Sequence, residues 1–421
     1  DIYGFFDENS QWQKRLSLLK QGIGKTAKPE RLSPKTAKAL YGKNIFSSVS
    51  RLERFAGCPF SFFAEYGLKA EERRLYQLNT PDLGSLFHEV LELFSNKLEQ
   101  DSLPWTSLTK EETTARIHAA VEDAAPRLGN RILLDSAANQ YLIRRLKRIS
   151  TRAAWTLVQH LQQGDFVPAG YEVGFGAHEA LPPIVIRLQD GGSLILNGKI
   201  DRVDLLDANG TRYVKIIDYK SGNKTFHFQD IYYGLQLQLL VYLDAYLKYY
   251  KKTGASFKPG GVFYFRITDP TLALDEELSA EAIEKILYEK MRMSGLLLQE
   301  DVLIHGLDHS LAKSRSSAIV PVGYTKKGDP TAASNLATEE QYAAILDFVA
   351  TRTQEIGDAM KAGIITPAPY RDGQRTPCSY CSYRSLCRHS YGEAPRWRKL
   401  KKIDKADFWE SITPKQPTET E

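Results

Sequence analysis

The chain has 421 residues, of which 42% are hydrophobic and 25% are charged, and its formal net charge is +5. No apolar run approaches 18 residues, and four unevenly spaced cysteines are too few for a secreted disulfide scaffold, so we expect a cytoplasmic globular protein with no membrane segment. The mild positive charge permits a nucleic-acid partner without requiring one.

The first 45 residues are polar, and "GIGKTAKPERLSPK" within them is typical of a linker. The chain starts at Asp1 rather than at a methionine. We therefore expect a piece of a larger protein, with residues 1–45 as a linker or as the end of a preceding region.

Helical patterns follow from residue 47 to residue 163. "SSVSRLERFAG" predicts a capped helix that leads to Cys58, and residues 84–98 predict a helix with His88 and Glu92 one turn apart beside its apolar stripe. Residues 110–163 are predicted to be mostly helical. They contain a run of basic side chains: Arg144, Arg145, Lys147, Arg148 and Arg152.

The pattern then changes to strands. "SLILNGKIDRVDLL" alternates like one strand over 193–206, "DANG" is a hairpin signal, and "YVKIIDYK" predicts the returning strand. A long helix over 230–250, a strand at "GGVFYFRIT" and a helix over 338–362 follow. Helices interleaved with strands in this order predict an α/β core.

Acidic and basic side chains gather at the strand ends of this predicted hairpin. Asp201 and Asp218 are expected to approach each other across the ladder, and Lys220 shares a face with Asp218 because it lies two residues further on. Carboxylates suit Mg²⁺, and a lysine beside them is placed to orient a water or stabilise negative charge. A surface ion pair is the alternative for such an Asp-x-Lys pattern, and a local pair with Arg202 is the alternative for Asp201.

The cysteines form a second candidate site. Cys378, Cys381 and Cys387 follow a C-x₂-C-x₅-C spacing, and Cys58 stands far earlier in the chain. Four thiolates suit a [4Fe–4S] cluster or a tetrahedral zinc ion, and His389 leaves a mixed zinc site open.

Four segments resemble the motifs of the RecB-family nucleases in the PD-(D/E)xK superfamily: "GSLFHEVLE", "GKIDRVD", "IIDYKSG" and "QLLVY". The resemblance implies a restriction-endonuclease-like α/β core, a mixed sheet flanked by helices, with additional helices and a C-terminal iron–sulfur segment. It places the nuclease domain at 46–395, after a helicase-like region, and leaves 396–421 as a basic and then polar tail.

The resemblance also implies roles for individual residues. The implied ligands of Mg²⁺ or Mn²⁺ are His88, Asp201, Asp218 and the backbone carbonyl of Tyr219. Lys220 is the implied catalytic lysine, which positions or deprotonates the attacking water. Gln238 and Tyr242 are expected to align it or the DNA backbone, although Gln236 is a second candidate glutamine. The basic run from Arg144 to Arg152 is expected to track phosphates, or else to form a solvated helix face.

One cysteine before the histidine motif and three after the glutamine helix resemble the iron–sulfur members of this family, which favours [4Fe–4S] over zinc. This pattern resembles the B subunits of AddAB-type bacterial helicase–nucleases. It implies a heterodimer with an A subunit, DNA with free ends as substrate, cleavage of the 5′-ended strand, and a role in recombinational repair. A catalytically silent DNA-binding module and a stand-alone iron–sulfur exonuclease are the alternatives.

Overall fold

The computed structural model describes residues 12–13, 15–18, 31–71, 80–127, 137–272, 277–387, 389 and 397–413. Most of the predicted linker, and the end of the predicted tail beyond residue 413, lie outside the described residues. Of the described helices, none is long and apolar enough to cross a membrane.

The helices are α1 (Pro34–Tyr41), α2 (Val49–Gly57), α3 (Pro59–Phe62), α4 (Thr80–Gln100), α5 (Lys110–Ala124), α6 (Ala137–Gln162), α7 (Phe228–Tyr232), α8 (Gln238–Lys252), α9 (Ala280–Lys290), α10 (Asp301–Leu307), α11 (Glu339–Lys361), α12 (Arg384–Cys387) and α13 (Lys405–Ile412). The strands are β1 (Asn44–Ser47), β2 (Val167–Phe175), β3 (Ile184–Arg187), β4 (Ser193–Leu196), β5 (Gly198–Ala208), β6 (Thr211–Lys220), β7 (Phe257–Arg266), β8 (Ser294–Leu298), β9 (Leu336–Ala337), β10 (Tyr370–Arg371) and β11 (Arg398–Lys399).

A six-stranded mixed sheet in the order β2-β5-β6-β7-β8-β9 forms the centre of the molecule. β2, β5 and β6 pair antiparallel, β6 and β7 pair parallel, and β8 is antiparallel to β7 and parallel to β9. β6 is buried over most of its length, as expected for a central strand that is covered on both faces. The mixed α/β class predicted from the sequence is confirmed.

The β5–β6 hairpin turns at Asn209 and Gly210, whose φ angles are +51° and +74°. Two consecutive positive φ angles suit the right-handed twist of a two-residue hairpin, and glycine and asparagine adopt them at little cost. The predicted "DANG" turn is therefore confirmed. The ladder between the two strands ends at the pair Arg202–Ile217, so Asp201 and Asp218 come next at its open end.

The single strand predicted over 193–206 is wrong. β4 ends at Leu196 and joins β1 and β3 in a separate three-stranded sheet, while β5 begins at Gly198 in the central sheet. The backbone N–H of Asn197 donates to the carbonyl of Ser47, 3.1 Å away, which holds the chain where it passes from one sheet to the other. Alternating hydrophobicity continues through this residue, so the pattern does not reveal the break.

The single helix predicted over 230–250 is also wrong. α7 ends at Tyr232 and α8 begins at Gln238, because Gly234 between them has a φ of +73° that a helix does not accommodate. Two other predicted helices are confirmed. The apolar stripe of α4 is buried, and α11 ends just before Gly363, whose φ is +69°.

Packing continues across both predicted domain boundaries. β1 pairs with β4 from residue 44 onward, so the folded unit begins before residue 46. In the predicted tail, Phe408 and Trp409 of α13 are buried and contact the ring of Phe228, with centroids 5.1 and 5.5 Å apart. The described residues of 396–421 are thus partly integrated into the core.

Candidate active site

Three carboxylates lie side by side on three neighbouring strands. Asp201 of β5 stands opposite Glu172 of β2, between the pairs Tyr171–Arg202 and Val173–Ile200, and next to Asp218 of β6. Asp201 Oδ2 accepts a hydrogen bond of 2.5 Å from the backbone N–H of Tyr219.

Asp201 and Asp218 are both buried, with relative exposures of 8% and 3%. Burial raises the pKa of Asp218, the charge of Asp201 raises it further, and Lys220 opposes both effects. Two carboxylates held this close in a buried position repel each other unless a cation lies between or beside them.

Lys220 supplies one such cation. Its ammonium lies 2.5 Å from Asp218 Oδ2 and donates a long hydrogen bond of 3.5 Å to Gln238 Oε1. Burial acts to lower the pKa of Lys220, but the charge and hydrogen bond of Asp218 outweigh it, so the pKa is raised. In the metal-free protein the lysine is therefore held as a cation, which suits the positioning of a water and the stabilisation of negative charge.

His88 reaches the carboxylates from α4. Its Nδ1 lies 3.4 Å from Asp201 Oδ2 and 4.0 Å from Glu172 Oε1. The pKa of His88 is lowered by burial but raised more by the hydrogen bond and charge of Asp201, and the net direction is upward. Gly84 explains the close approach of the helix, since a Cβ there would lie 3.0 Å from the hydroxyl of Ser221.

Glu172 is a site residue that no sequence motif revealed. Its φ of +47° is unusual for a glutamate, and β2 carries an irregularity just before it, between Pro168 and Gly170. Burial raises the pKa of Glu172 to about 7, with the charges of Asp201 and Glu92 adding to the effect. Its position opposite Asp201 depends on strand pairing, which the sequence does not specify.

The ligand atoms of His88, Glu172 and Asp201 all lie within 4.8 Å of one another. The two carboxylates suit Mg²⁺ and Mn²⁺, whereas the imidazole nitrogen is a ligand more usual for transition-metal ions such as Mn²⁺ than for Mg²⁺. Asp218 contacts Lys220 instead, beside this set. Tyr219 lies between the aspartates, and the role predicted for its carbonyl stays a prediction.

The two candidate glutamines have different surroundings. Gln236 bonds to the backbone of its own loop, accepting from His227 N–H and donating to the Thr225 carbonyl, both at 2.8 Å. Gln238, the first residue of α8, is the one that contacts Lys220.

Tyr242 lies one turn further along α8 and is almost completely buried. Its ring stacks on Phe175 with centroids 5.6 Å apart, and its hydroxyl occupies the space that a side chain at residue 198 would need. A Cβ on Gly198 would lie only 2.1 Å from this oxygen. Tyr242 therefore locks α8 against the start of β5, so its contacts favour a structural role over contact with DNA.

Glu53 of α2 is a second residue that the sequence did not reveal. One carboxylate oxygen accepts from the backbone N–H groups of Leu237 and Gln238 at 2.8 and 3.1 Å, and the other lies 3.1 Å from the ammonium of Lys224. Glu53 thus caps α8 from a distant helix, and it does so at the residue that contacts Lys220.

Arg202 does not pair with Asp201. It points to the opposite face of β5, where its guanidinium forms two hydrogen bonds to Asp204 of 2.6 and 3.1 Å, and Lys215 lies 2.9 Å from the same carboxylate. All three side chains are buried. Because side chains alternate along a strand, Asp201 of the "IDRVD" segment faces the candidate site, whereas Arg202 and Asp204 form a buried ion-paired cluster on the opposite face.

The site opens into a cleft of about 640 Å³ whose lining includes His88, Glu92, Glu172 and Ser221. Of the site residues described above, His88 and Glu172 line this cleft.

The predicted basic run on α6 is only partly free. Arg148 and Arg152 lie 2.7 and 3.4 Å from the carboxylate of Asp269, and Lys147 lies 2.5 Å from Glu122. Arg144 and Arg145 are exposed and have no acidic partner among the described residues.

The four cysteines converge although they are far apart in sequence. Burial raises the pKa of Cys58 to about 11, and the nearby thiols of Cys378 and Cys381 add to the effect. Burial also raises the pKa of Cys378, with Cys381 and Cys387 contributing. All four are free thiols.

The distance between thiolate sulfurs differs between a single zinc ion and an iron–sulfur cluster. Four thiolates on one zinc lie about 3.8 Å apart, given zinc–sulfur bonds of about 2.3 Å in a tetrahedron. Within the described residues, no three of these cysteines, with or without His389, bring their ligand atoms within 4.8 Å of one another. The group that these four thiols hold stays a prediction.

Hydrogen bonds also join the segments that carry the cysteines. Arg398 donates to the carbonyls of Ala56 and Gly57, just before Cys58, and to that of Ala368 at 2.7 Å. The Tyr383 hydroxyl donates to the Ala70 carbonyl at 2.9 Å.

A family model described as the PD-(D/E)XK nuclease superfamily matches residues 47–388 of this chain. The chain belongs to this superfamily. The match includes the carboxylates, Lys220, His88 and all four cysteines, and the fold predicted for this family is confirmed.

Curated relatives share most of the chain. A protein of Alkaliphilus oremlandii, named as the B subunit of an ATP-dependent helicase/deoxyribonuclease, is 41% identical over 415 residues, covering 98% of this chain and 36% of the relative. Proteins with the same name from Alkaliphilus metalliredigens and Anoxybacillus flavithermus are 43% and 36% identical, covering 92% and 96% of this chain and 34% and 35% of theirs. The chain thus spans about a third of the length of these relatives.

Proposed function

We propose that this chain is the DNA-cutting part of a bacterial helicase–nuclease B subunit, a metal-dependent deoxyribonuclease that hydrolyses phosphodiesters at free DNA ends. The observation that carries the proposal is the row of three carboxylates, with Lys220 beside Asp218 at one end and His88 beside the other two. The names of the relatives support an A subunit as partner in a heterodimer, and we extend the proposal to the 5′-ended strand, recombinational repair and the bacterial cytoplasm.

His88, Glu172 and Asp201 would hold Mg²⁺ or Mn²⁺, with Asp218 beside them. When bound, the ion polarises the scissile phosphate and lowers the pKa of its water. Lys220, held as a cation by Asp218, places its ammonium toward the attacking water and the negative charge that develops on the phosphate. Gln238 restrains that ammonium from the other side.

The cysteines would hold one [4Fe–4S] cluster. The mutual influence of the thiols supports one shared group, and the resemblance of their spacing to the iron–sulfur members of the family favours a cluster over zinc. A cluster at this point would close a loop that includes the active site, and the loop-closure cost is about 5 kcal/mol by the logarithmic law. Iron and sulfide analysis of the purified brown protein tests the assignment, and one bound zinc in a colourless protein would refute it.

Cleavage of linear DNA by the purified chain tests the main proposal. We expect activity with Mg²⁺ or Mn²⁺, none in EDTA, and binding without cleavage in Ca²⁺ because its looser coordination activates water poorly. Asp218→Ala and Lys220→Ala should abolish cleavage while preserving the fold and DNA binding. Wild-type rates in either variant would contradict the assigned site.

The same experiment separates the alternatives. A catalytically silent DNA-binding module would bind the DNA and leave it intact under every metal condition. A stand-alone exonuclease would reach its full rate without an A subunit, whereas the proposed part of a heterodimer should gain activity when the partner is added.

A further inference from the structure

A second cleft lies away from the carboxylates, between α5, α6 and α9, and has a volume of about 580 Å³. We call it the Trp155 cleft, after the tryptophan of α6 that lines it together with Tyr288 of α9. This volume falls in the range of ligand-binding pockets, and it is far too small for a base-paired duplex.

The lining combines an aromatic surface with polar groups that lack partners. Trp155 is half-buried, and among the described residues its indole makes no hydrogen bond and no ring contact. The hydroxyl of Thr151, one turn earlier on α6, is buried in the same wall without a hydrogen-bond partner. A ligand with a flat ring and polar edges would satisfy both.

The charge of the cleft favours an anion. Six basic side chains and one acidic side chain, Glu284, line it. Counting the neighbours Asp269 and Glu122, three carboxylates face six cations. Arg144 and Lys285 are exposed and have no acidic partner in the described part of the chain, so they are free to bind phosphate.

The cleft lies at the same edge of the central sheet as the active site. β6 and β7 are parallel, and Lys220 pairs with Arg266 at their carboxyl ends. Asp269, which forms ion pairs with Arg148 and Arg152, follows Arg266 by three residues. Three residues of extended chain span at most roughly 11 Å, so Asp269 lies within that distance of Arg266. α6 covers the face of β7 that carries Phe265, whereas Lys220 lies beside Tyr264 on the other face, so a single strand bound in the cleft would pass around this edge of the sheet to reach Lys220.

We propose that the Trp155 cleft binds single-stranded DNA, with a base stacked on Trp155 and the flanking phosphates on Arg144 and Lys285, and that it guides the strand to the active site. This inference rests on the proposed nuclease function. A stacked aromatic ring beside basic side chains is the arrangement that binds single strands without sequence preference.

The test measures binding of a fluorescent oligo(dT) of about 12 nucleotides, within the usual range of single-strand site sizes, to the purified chain in EDTA. Trp155→Ala should weaken binding at least about fivefold, the lower limit for loss of one stacked base, and Trp155→Phe should restore most of it. With Mg²⁺, Trp155→Ala should raise KM for single-stranded DNA and leave kcat nearly unchanged.

Arg144 and Arg145 form a matched pair on α6, because both are exposed but only Arg144 lines the cleft. Arg144→Ala should reduce the salt dependence of oligo(dT) binding by about 0.7 in the log–log slope, as expected for one lost phosphate contact, and Arg145→Ala should not. Equal effects of the two substitutions would overturn the proposal.

Wild-type affinity of Trp155→Ala for oligo(dT) would also overturn it. These outcomes are independent of the nuclease proposal. Loss of binding in Trp155→Ala supports the cleft even if the chain cuts nothing, and unchanged KM in a chain that does cut refutes the cleft alone.

Discussion

Replacing Glu53 should impair catalysis although this side chain lies outside the metal-binding set. Its carboxylate accepts two backbone hydrogen bonds at the start of α8 and pairs with Lys224, and its side chain is 13% exposed. In Glu53→Ala the N–H groups of Leu237 and Gln238 lose their acceptor, so the first turn of α8 frays and Gln238 no longer restrains Lys220.

The magnitude follows from these contacts. Loss of a helix cap costs about 0.5–2 kcal/mol, and each hydrogen bond to a charged group contributes about 1.5–3 kcal/mol. The two ranges cannot be added, because the helix cap consists of these same hydrogen bonds. We therefore expect Glu53→Ala to lower the free energy of unfolding by about 2–4 kcal/mol. Displacing a catalytic group by about 1 Å costs up to roughly 100-fold, so kcat should fall by about 10- to 100-fold while KM changes little.

Single-turnover cleavage of linear DNA and urea denaturation of the same preparations measure the two effects. Glu53→Gln keeps an oxygen acceptor for the N–H groups and should retain most of the activity. Thr109→Ala is a second control, because Thr109 caps α5, remote from the site, and should lose about 1 kcal/mol of stability without loss of kcat. The reasoning fails if Glu53→Ala, like Thr109→Ala, is less stable but cuts at the wild-type rate.

Three further predictions concern the metal site, the core and the cysteines. The pKa of Glu172 is raised from 4.5 to about 7, so in the metal-free protein its contribution to stability is present below pH 4.5 and is lost as pH rises toward 7. Glu172→Gln should therefore raise the melting temperature in EDTA near pH 8 and change it little near pH 4, and equal shifts at both would argue against the raised pKa. Gly198→Ala places a Cβ against the Tyr242 hydroxyl and should lower the free energy of unfolding, measured in urea, by about 1–3 kcal/mol. Adding Tyr242→Phe, which removes that hydroxyl, should recover part of this loss. An unchanged free energy of unfolding in Gly198→Ala would show that the contact is not tight. Cys58→Ala should lose iron and sulfide, melt at a lower temperature and expose the chain ends to protease, whereas unchanged protease resistance would show that the cysteines do not hold those ends together.

Local sequence determined the parts of this protein that depend on near neighbours in the chain. The two-residue spacing of Asp218 and Lys220 sets their common face, the Asn-Gly turn sets the hairpin, and the apolar stripe of α4 sets the side of that helix that is buried. The order of helices and strands predicted the α/β core. The resemblance of the motifs to a known family implied that His88 and Asp201 share one site, although they lie far apart in the chain.

Tertiary structure alone decided the rest, because the contacts involved join residues that are far apart in the chain. Glu172 enters the site through strand pairing with Asp201, and Glu53 caps a helix that begins 185 residues later. The break at Asn197 occurs within a continuous alternating pattern, where β4 and β5 differ only in the sheet that each one joins. The break between α7 and α8 occurs at Gly234, whose positive φ is not visible in the hydrophobic pattern on either side of it. Hydrophobic periodicity indicates which side of a helix or strand is buried. It does not indicate which other helix or strand packs against that side, and this packing determines where each functional side chain lies.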